Sequence, residues 1–103
     1  MKIVAVTACT AGIAHTYIVA EKIKNAAEEA GHWVKVETQG STGVENEITR
    51  EEAQAADVVI YAHDIAIRGK SRFEGKKIVD IPISVALNNP KSLIATIEKK
   101  LGL

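Results

Sequence analysis

The chain has a single cysteine, Cys9, so no disulfide can form within it. A lone thiol in an intracellular protein serves either chemistry or packing. It also lacks any excess of charge: 13 Lys and Arg stand against 13 Asp and Glu. That balance gives no support for nucleic-acid binding, which needs a basic face. No apolar run approaches the roughly 20 residues that a membrane-spanning helix requires. The apolar stretch Met1 to Val6 is too short for a secretory signal and meets the polar Thr7 at once. A cytoplasmic location is therefore the expectation. There is no internal repeat, low-complexity tract or linker. What is present is ordinary globular composition, 47% hydrophobic and 25% charged, which argues against disorder. A length of 103 residues suits one domain, 1–103, with one modest core.

Four hydrophobic segments read as strands. Ile3 to Ala8 is almost unbroken and rich in β-branched residues. Val34, Val36 and Thr38 alternate with Lys35, Glu37 and Gln39, which reads as a strand with one wet face. Val58 to Ala62 is continuous again, and Ile78, Val79 and Ile81 form a fourth strand interrupted by Asp80 and closed by Pro82. Helical spacing appears over 15–30, where Ala20, Ile23, Ala27 and Ala30 share a face and Gly31 supplies a stop. Thr49 and Glu52 have capping-box spacing for a short helix ending near Ala56. Asn89-Pro90 suits an N-cap and first position, ahead of a final helix burying Ile94, Ile97 and Leu101.

The order βαβαβαβα calls for a three-layer α/β/α fold, a doubly wound, four-stranded parallel sheet. The fully apolar strands 1 and 3 belong in its centre and the interrupted strands 2 and 4 at its edges. Right-handed crossovers then give the order 2-1-3-4. The second strand, with Lys35 and Glu37, reads as an edge guarded against further pairing. This order puts a topological switch point between strands 1 and 3, where open α/β sheets bind ligands beyond their carboxyl ends. Cys9 falls there.

The segment after the first strand is Cys9-Thr10-Ala11-Gly12-Ile13-Ala14-His15-Thr16. Its small residues let the backbone wrap tightly, and Gly12 can take positive φ at no steric cost. Inward-turned N–H groups and the following helix N-terminus would make an anion cup. The same field favours a thiolate, so one stretch supplies an attacking sulfur and a cradle for phosphate. From position alone Cys9 could equally be a small packing residue; the switch point and the glycine loop favour the nucleophile. His15 reads either as a phosphoryl or thiolate partner or as a solvated first-turn residue. Thr16 reads as a phosphate contact, a cap or packing. Gly40-Ser41-Thr42-Gly43 and His63-Asp64 should border the site. The glycine loop is either part of a docking face or a surface turn. Asp64 beside phosphate would repel it, so it reads as a loop-orienting or capping residue. Arg68, Lys70 and Arg72 would attract a phosphorylated partner or simply face solvent, with solvent favoured. Trp33 and Phe73 read as packing. Cys9, His15, His32 and His63 lack ligand spacing, so no metal is expected, and no cofactor.

These blocks resemble the fructose-type enzyme IIB domains of the bacterial phosphoenolpyruvate-dependent sugar phosphotransferase system. The likeness runs through Val6-Thr7-Ala8-Cys9, Gly12-Ile13-Ala14-His15-Thr16, Val36-Glu37-Thr38-Gln39-Gly40-Ser41, Ala56-Asp57-Val58-Val59-Ile60, and Arg72-Phe73 with Gly75-Lys76. It implies that Cys9 accepts a phosphoryl group from a phosphohistidine of enzyme IIA. Cys9 then passes the group to a fructose-like sugar at the membrane component, enzyme IIC, with docking at the inner face of the membrane. The loop departs from the family's common Cys-Pro-Thr-Gly: Thr10 and Ala11 remove a rigid φ and a hydroxyl but leave the nucleophile. Two other readings share the fold. A low-molecular-weight tyrosine phosphatase places Arg six residues after its cysteine, where this chain has His15, so the bidentate phosphate clamp is missing. No clear general acid for a leaving group stands out, and His63 with Asp64 makes a poor Cys-His-Asp set because strand neighbours point to opposite faces. The other reading is a diverged regulatory IIB-like binding module.

Overall fold

β-Branched, apolar strands with no polar face must be covered on both sides. The first strand, β1 (Lys2–Ala8), is buried from Ile3 onward. The computed structural model describes residues 1–9, 13–40 and 43–101, with the backbone alone for residues 13–15. After β1 come α1 (Ile13–Glu29), β2 (Trp33–Gly40), β3 (Gly43–Glu45), α2 (Arg50–Ala55) and β4 (Val58–His63). A 3-10 turn (Lys70–Phe73), β5 (Ile78–Ile81), α3 (Ile83–Asn88) and α4 (Pro90–Lys100) complete the chain.

The sheet order is β3-β2-β1-β4-β5. The pairs β1–β2, β1–β4 and β4–β5 are parallel, and β3 joins β2 antiparallel. The expected order 2-1-3-4 is thus present as β2-β1-β4-β5, with one further strand at the β2 edge. That strand escaped sequence reading because Gly43, Val44 and Glu45 are all exposed and carry no apolar pattern. Gly43, at φ 129°, takes a conformation side chains disfavour, as the return from β2 requires. The carboxyl end of β2 is therefore not an unpaired edge: Thr38, Gln39 and Gly40 pair with Glu45, Val44 and Gly43.

The two faces of the sheet carry separate cores. Ile3, Ala5, Val36, Val58, Ile60 and Ala62 pack with α1, α3 and α4. Val4, Val6, Ala8, Val59 and Tyr61 pack with Ile48, α2 and Phe73. The Thr49–Glu52 capping box is formed in both directions, as its spacing requires. Pro90 opens α4, although the Asn89 side chain makes no cap hydrogen bond there. The crossover from β4 to β5 is a single 3-10 turn and not a helix, because Gly69 at φ 74° and Gly75 at φ 81° bracket it too closely. Pro82 closes β5 but also caps α3, a helix not read from the sequence because its six residues are too few for a clear period. Phe73 packs as expected, at 1% exposure, whereas Trp33 stands 47% exposed at the start of β2.

Candidate functional site

The carboxyl ends of β1 and β4 bring the chemistry together. Cys9 follows β1 and is buried to 3% exposure. The β1–β4 register pairs Ala8 with His63, and the Asp64 N–H continues the ladder by donating to the Ala8 carbonyl at 3.0 Å. The ladder thereby sets Asp64 opposite Cys9. The thiol donates to the Asp64 Oδ2 at 3.9 Å. Asp64 is thus more than a loop-orienting residue: it touches the sulfur from an exposed position on the rim.

Helix α1 begins at Ile13 and has no acidic residue in its first turn, so its N-terminal dipole is not offset there. Thr10, Ala11 and Gly12 lie outside the described residues, as do the side chains of Ile13, Ala14 and His15. The described member of the expected phosphate segment is Thr16. It is 2% exposed, and its hydroxyl has no hydrogen-bond partner. Such a group is costly unless something completes it. Thr16 lines a cavity of about 150 Å³ with Thr38, Gly40, Gly43 and Glu45. Tyr17 closes one side, its phenol hydrogen-bonded to Glu45, a contact that raises the phenol's pKa above the ordinary value.

Behind β2 lies a polar cluster that the alternating pattern did not announce. Glu37 and Gln39 are buried, not solvated. Arg72 reaches in from the 3-10 turn and binds Glu37 with both terminal nitrogens, at 2.6 and 3.0 Å. Gln39 donates to Glu37 at 2.7 Å and the Ile48 N–H donates at 2.8 Å. Burial alone would raise the Glu37 carboxyl, but the hydrogen bonds from Arg72, Gln39 and Ile48 outweigh it and hold its pKa below the ordinary value. The Arg68 N–H donates to Gln39 at 2.9 Å, and the Arg68 guanidinium donates to the Gly40 carbonyl at 3.3 Å. The cluster thus anchors the loop that borders the site. Arg72 is therefore structural and neither solvated nor turned toward a partner; Lys70 lies over the Tyr61 ring. The signal for this cluster was Arg72-Phe73 itself, a charged residue fixed beside a buried aromatic one.

His63 reaches the same edge, and both of its ring nitrogens are engaged. Its Nδ1 is 2.7 Å from the Ile65 carbonyl and its Nε2 2.8 Å from Asp80. His32 sits at the opposite end of the sheet, against Glu98. Ser41 and Thr42 of the glycine loop lie outside the described residues. Among the described residues no three His, Cys, Asp or Glu side chains are grouped to hold a metal.

Fold and site define an open, mostly parallel α/β protein with a cysteine at its switch point. The family model described as "PTS system, Lactose/Cellobiose specific IIB subunit" matches residues 4–96. The chain belongs to the enzyme IIB family of the phosphotransferase system (PTS), among its fructose-like members, and so to phosphotransferases of sugar uptake. It is 50% identical to the "PTS system fructose-like EIIB component 2" of Escherichia coli strain K12, over 98% of this chain and 95% of that one. It is 54% identical to the "Fructose-like PTS system EIIBC component" of the same strain, over 86% of this chain and 19% of that longer protein. A domain from the fructose-specific IIABC component of Borrelia burgdorferi superposes with a TM-score of 0.86 at 51% identity, covering 91% of this chain and 89% of that one.

Proposed function

We propose that this chain is a phosphocarrier in which residues 1–103 act as one IIB module and Cys9 holds the phosphoryl group. In loading, the P–N bond of an enzyme IIA phosphohistidine breaks and a P–S bond forms at Cys9. In unloading, a hydroxyl of a fructose-like sugar presented by membrane enzyme IIC takes the phosphoryl group, and the P–S bond breaks. The chain is then a protein-phosphocysteine–sugar phosphotransferase of the fructose type.

The observation that carries this reading is the placement of Cys9 at the switch point, with the buried, unpartnered Thr16 hydroxyl one turn into α1. A donor left unmatched beside a helix N-terminus suits an anion that arrives during turnover. The segment Thr10 to Thr16 is the phosphate cradle on this reading, with backbone N–H groups as its donors. Relatives support the partners: the Escherichia coli EIIBC component joins the B unit to C, and the Borrelia burgdorferi IIABC component joins it to A and C. The work is done in the cytoplasm, at the inner face of the membrane where the sugar is presented. Among the described residues no helix is long and apolar enough to cross a membrane.

The test is transfer of labelled phosphate from phosphorylated enzyme IIA. Wild-type protein takes up label and Cys9→Ser does not. Equal labelling of both proteins, or of neither, refutes the carrier reading.

A further inference from the structure

We infer that Asp64 is a catalytic residue of this carrier, the group that takes the thiol proton of Cys9 as phosphate arrives. The inference rests on the phosphocarrier reading of Cys9.

A thiol attacks phosphorus as its thiolate, so loading requires somewhere for the proton to go. Cys9 is 3% exposed, which leaves bulk water poorly placed to take it. Asp64 Oδ2 is 3.9 Å from Sγ, as the acceptor of the thiol's hydrogen bond. Its position is set by the sheet and not by loop chance, because the Asp64 N–H is tied to Ala8, the residue before Cys9. The carboxylate is exposed, so a proton taken from the buried sulfur can exchange with solvent. His63, the neighbouring residue on β4, has both ring nitrogens engaged, with Ile65 and Asp80.

The steps balance. In loading, the Sγ proton passes to Asp64, sulfur bonds phosphorus, the P–N bond breaks, and the departing histidine nitrogen takes a proton from water. An ionised carboxylate would repel the phosphoryl group now beside it. The protonated carboxyl donates a hydrogen bond to a phosphoryl oxygen instead. In unloading, the sugar oxygen bonds phosphorus and releases its proton to water. The P–S bond breaks, and Asp64 returns its proton to the thiolate.

The experiment measures loading rates from labelled phospho-IIA by rapid quench, for wild type, Asp64→Asn and Asp64→Ala, each first shown to be folded by its thermal midpoint. Asn keeps the shape and a donor but cannot take the proton, and loading slows by roughly 100-fold, within the usual range for a positioned acid or base. Added formate restores part of the rate of Asp64→Ala, which leaves room for it, and none of that of Asp64→Asn. A purely structural role would not respond to formate. Loading of Asp64→Asn within about twofold of wild type, far inside that range, overturns the inference. So does an Asp64→Ala protein that formate fails to accelerate. If wild type itself takes no label, the reading of Cys9 falls and this inference with it; if wild type loads and Asp64→Asn loads equally, only the inference falls.

Discussion

Thr16 shows how a single hydroxyl separates stability from function. It is buried in the first turns of α1 without a partner, an arrangement that costs about 1–3 kcal/mol in a folded protein. Valine has nearly the same shape and the same branched, χ1-restricted geometry in a helix. Thr16→Val should therefore raise the urea midpoint, with a gain of about 1 kcal/mol, while slowing phosphoryl loading of Cys9. Lower stability with unchanged loading would instead mark Thr16 as packing. Cys9 and Thr16 could both be named from the chain alone, because one lies at a strand end and the other in the loop's helix. Their environments could not. Burial of the sulfur, its contact with Asp64 and the unmatched hydroxyl all arise from segments distant in sequence.

At the scale of elements, β2 and the 3-10 turn form one unit through Glu37 and Arg72. Both side chains are largely withdrawn from water, at 1% and 15% exposure. Removing one charge leaves the other buried and uncompensated, which typically costs 3–5 kcal/mol. Glu37→Gln should accordingly destabilise the protein by roughly 3 kcal/mol in urea unfolding. It should also reduce loading, because Arg68 and the Gly40 carbonyl are held through the same cluster. The pH dependence has a definite sign. The Glu37 pKa is lower folded than unfolded, so its stabilisation is complete above the unfolded value of about 4.3. It is lost as pH falls from there through the folded value. Urea midpoints measured from neutral to acidic pH should fall more steeply for wild type than for Glu37→Gln; parallel curves would place the acid sensitivity elsewhere. The alternation of Lys35, Glu37 and Gln39 suggested a wet face because period-2 patterns report polarity, not exposure. What covers that face is Ile48, the 3-10 turn and Arg72, none of which the strand's own sequence reveals.

Across the whole molecule, carrier and hydrolase share a fold and differ in what surrounds the sulfur. Asp64 puts a carboxyl 3.9 Å from the sulfur, which makes a direct comparison with a hydrolase worthwhile. The residue six places after Cys9 is still His15 and not arginine, so no bidentate clamp for a phosphate ester stands at that position. Incubation with small aryl phosphates should release no more phosphate from wild type than from Cys9→Ser. Sustained release dependent on Cys9 would favour the hydrolase. The run of apolar strands, the order of the four parallel strands and the location of Cys9 at their switch point were all determined by the sequence, since burial on both faces and right-handed crossovers leave few arrangements. Tertiary structure alone decided the short β3 edge, the internal pairing of Glu37 with Arg72 and the meeting of Cys9 with Asp64. Those depend on pairing register and side-chain direction between segments up to 55 residues apart, which local pattern does not encode.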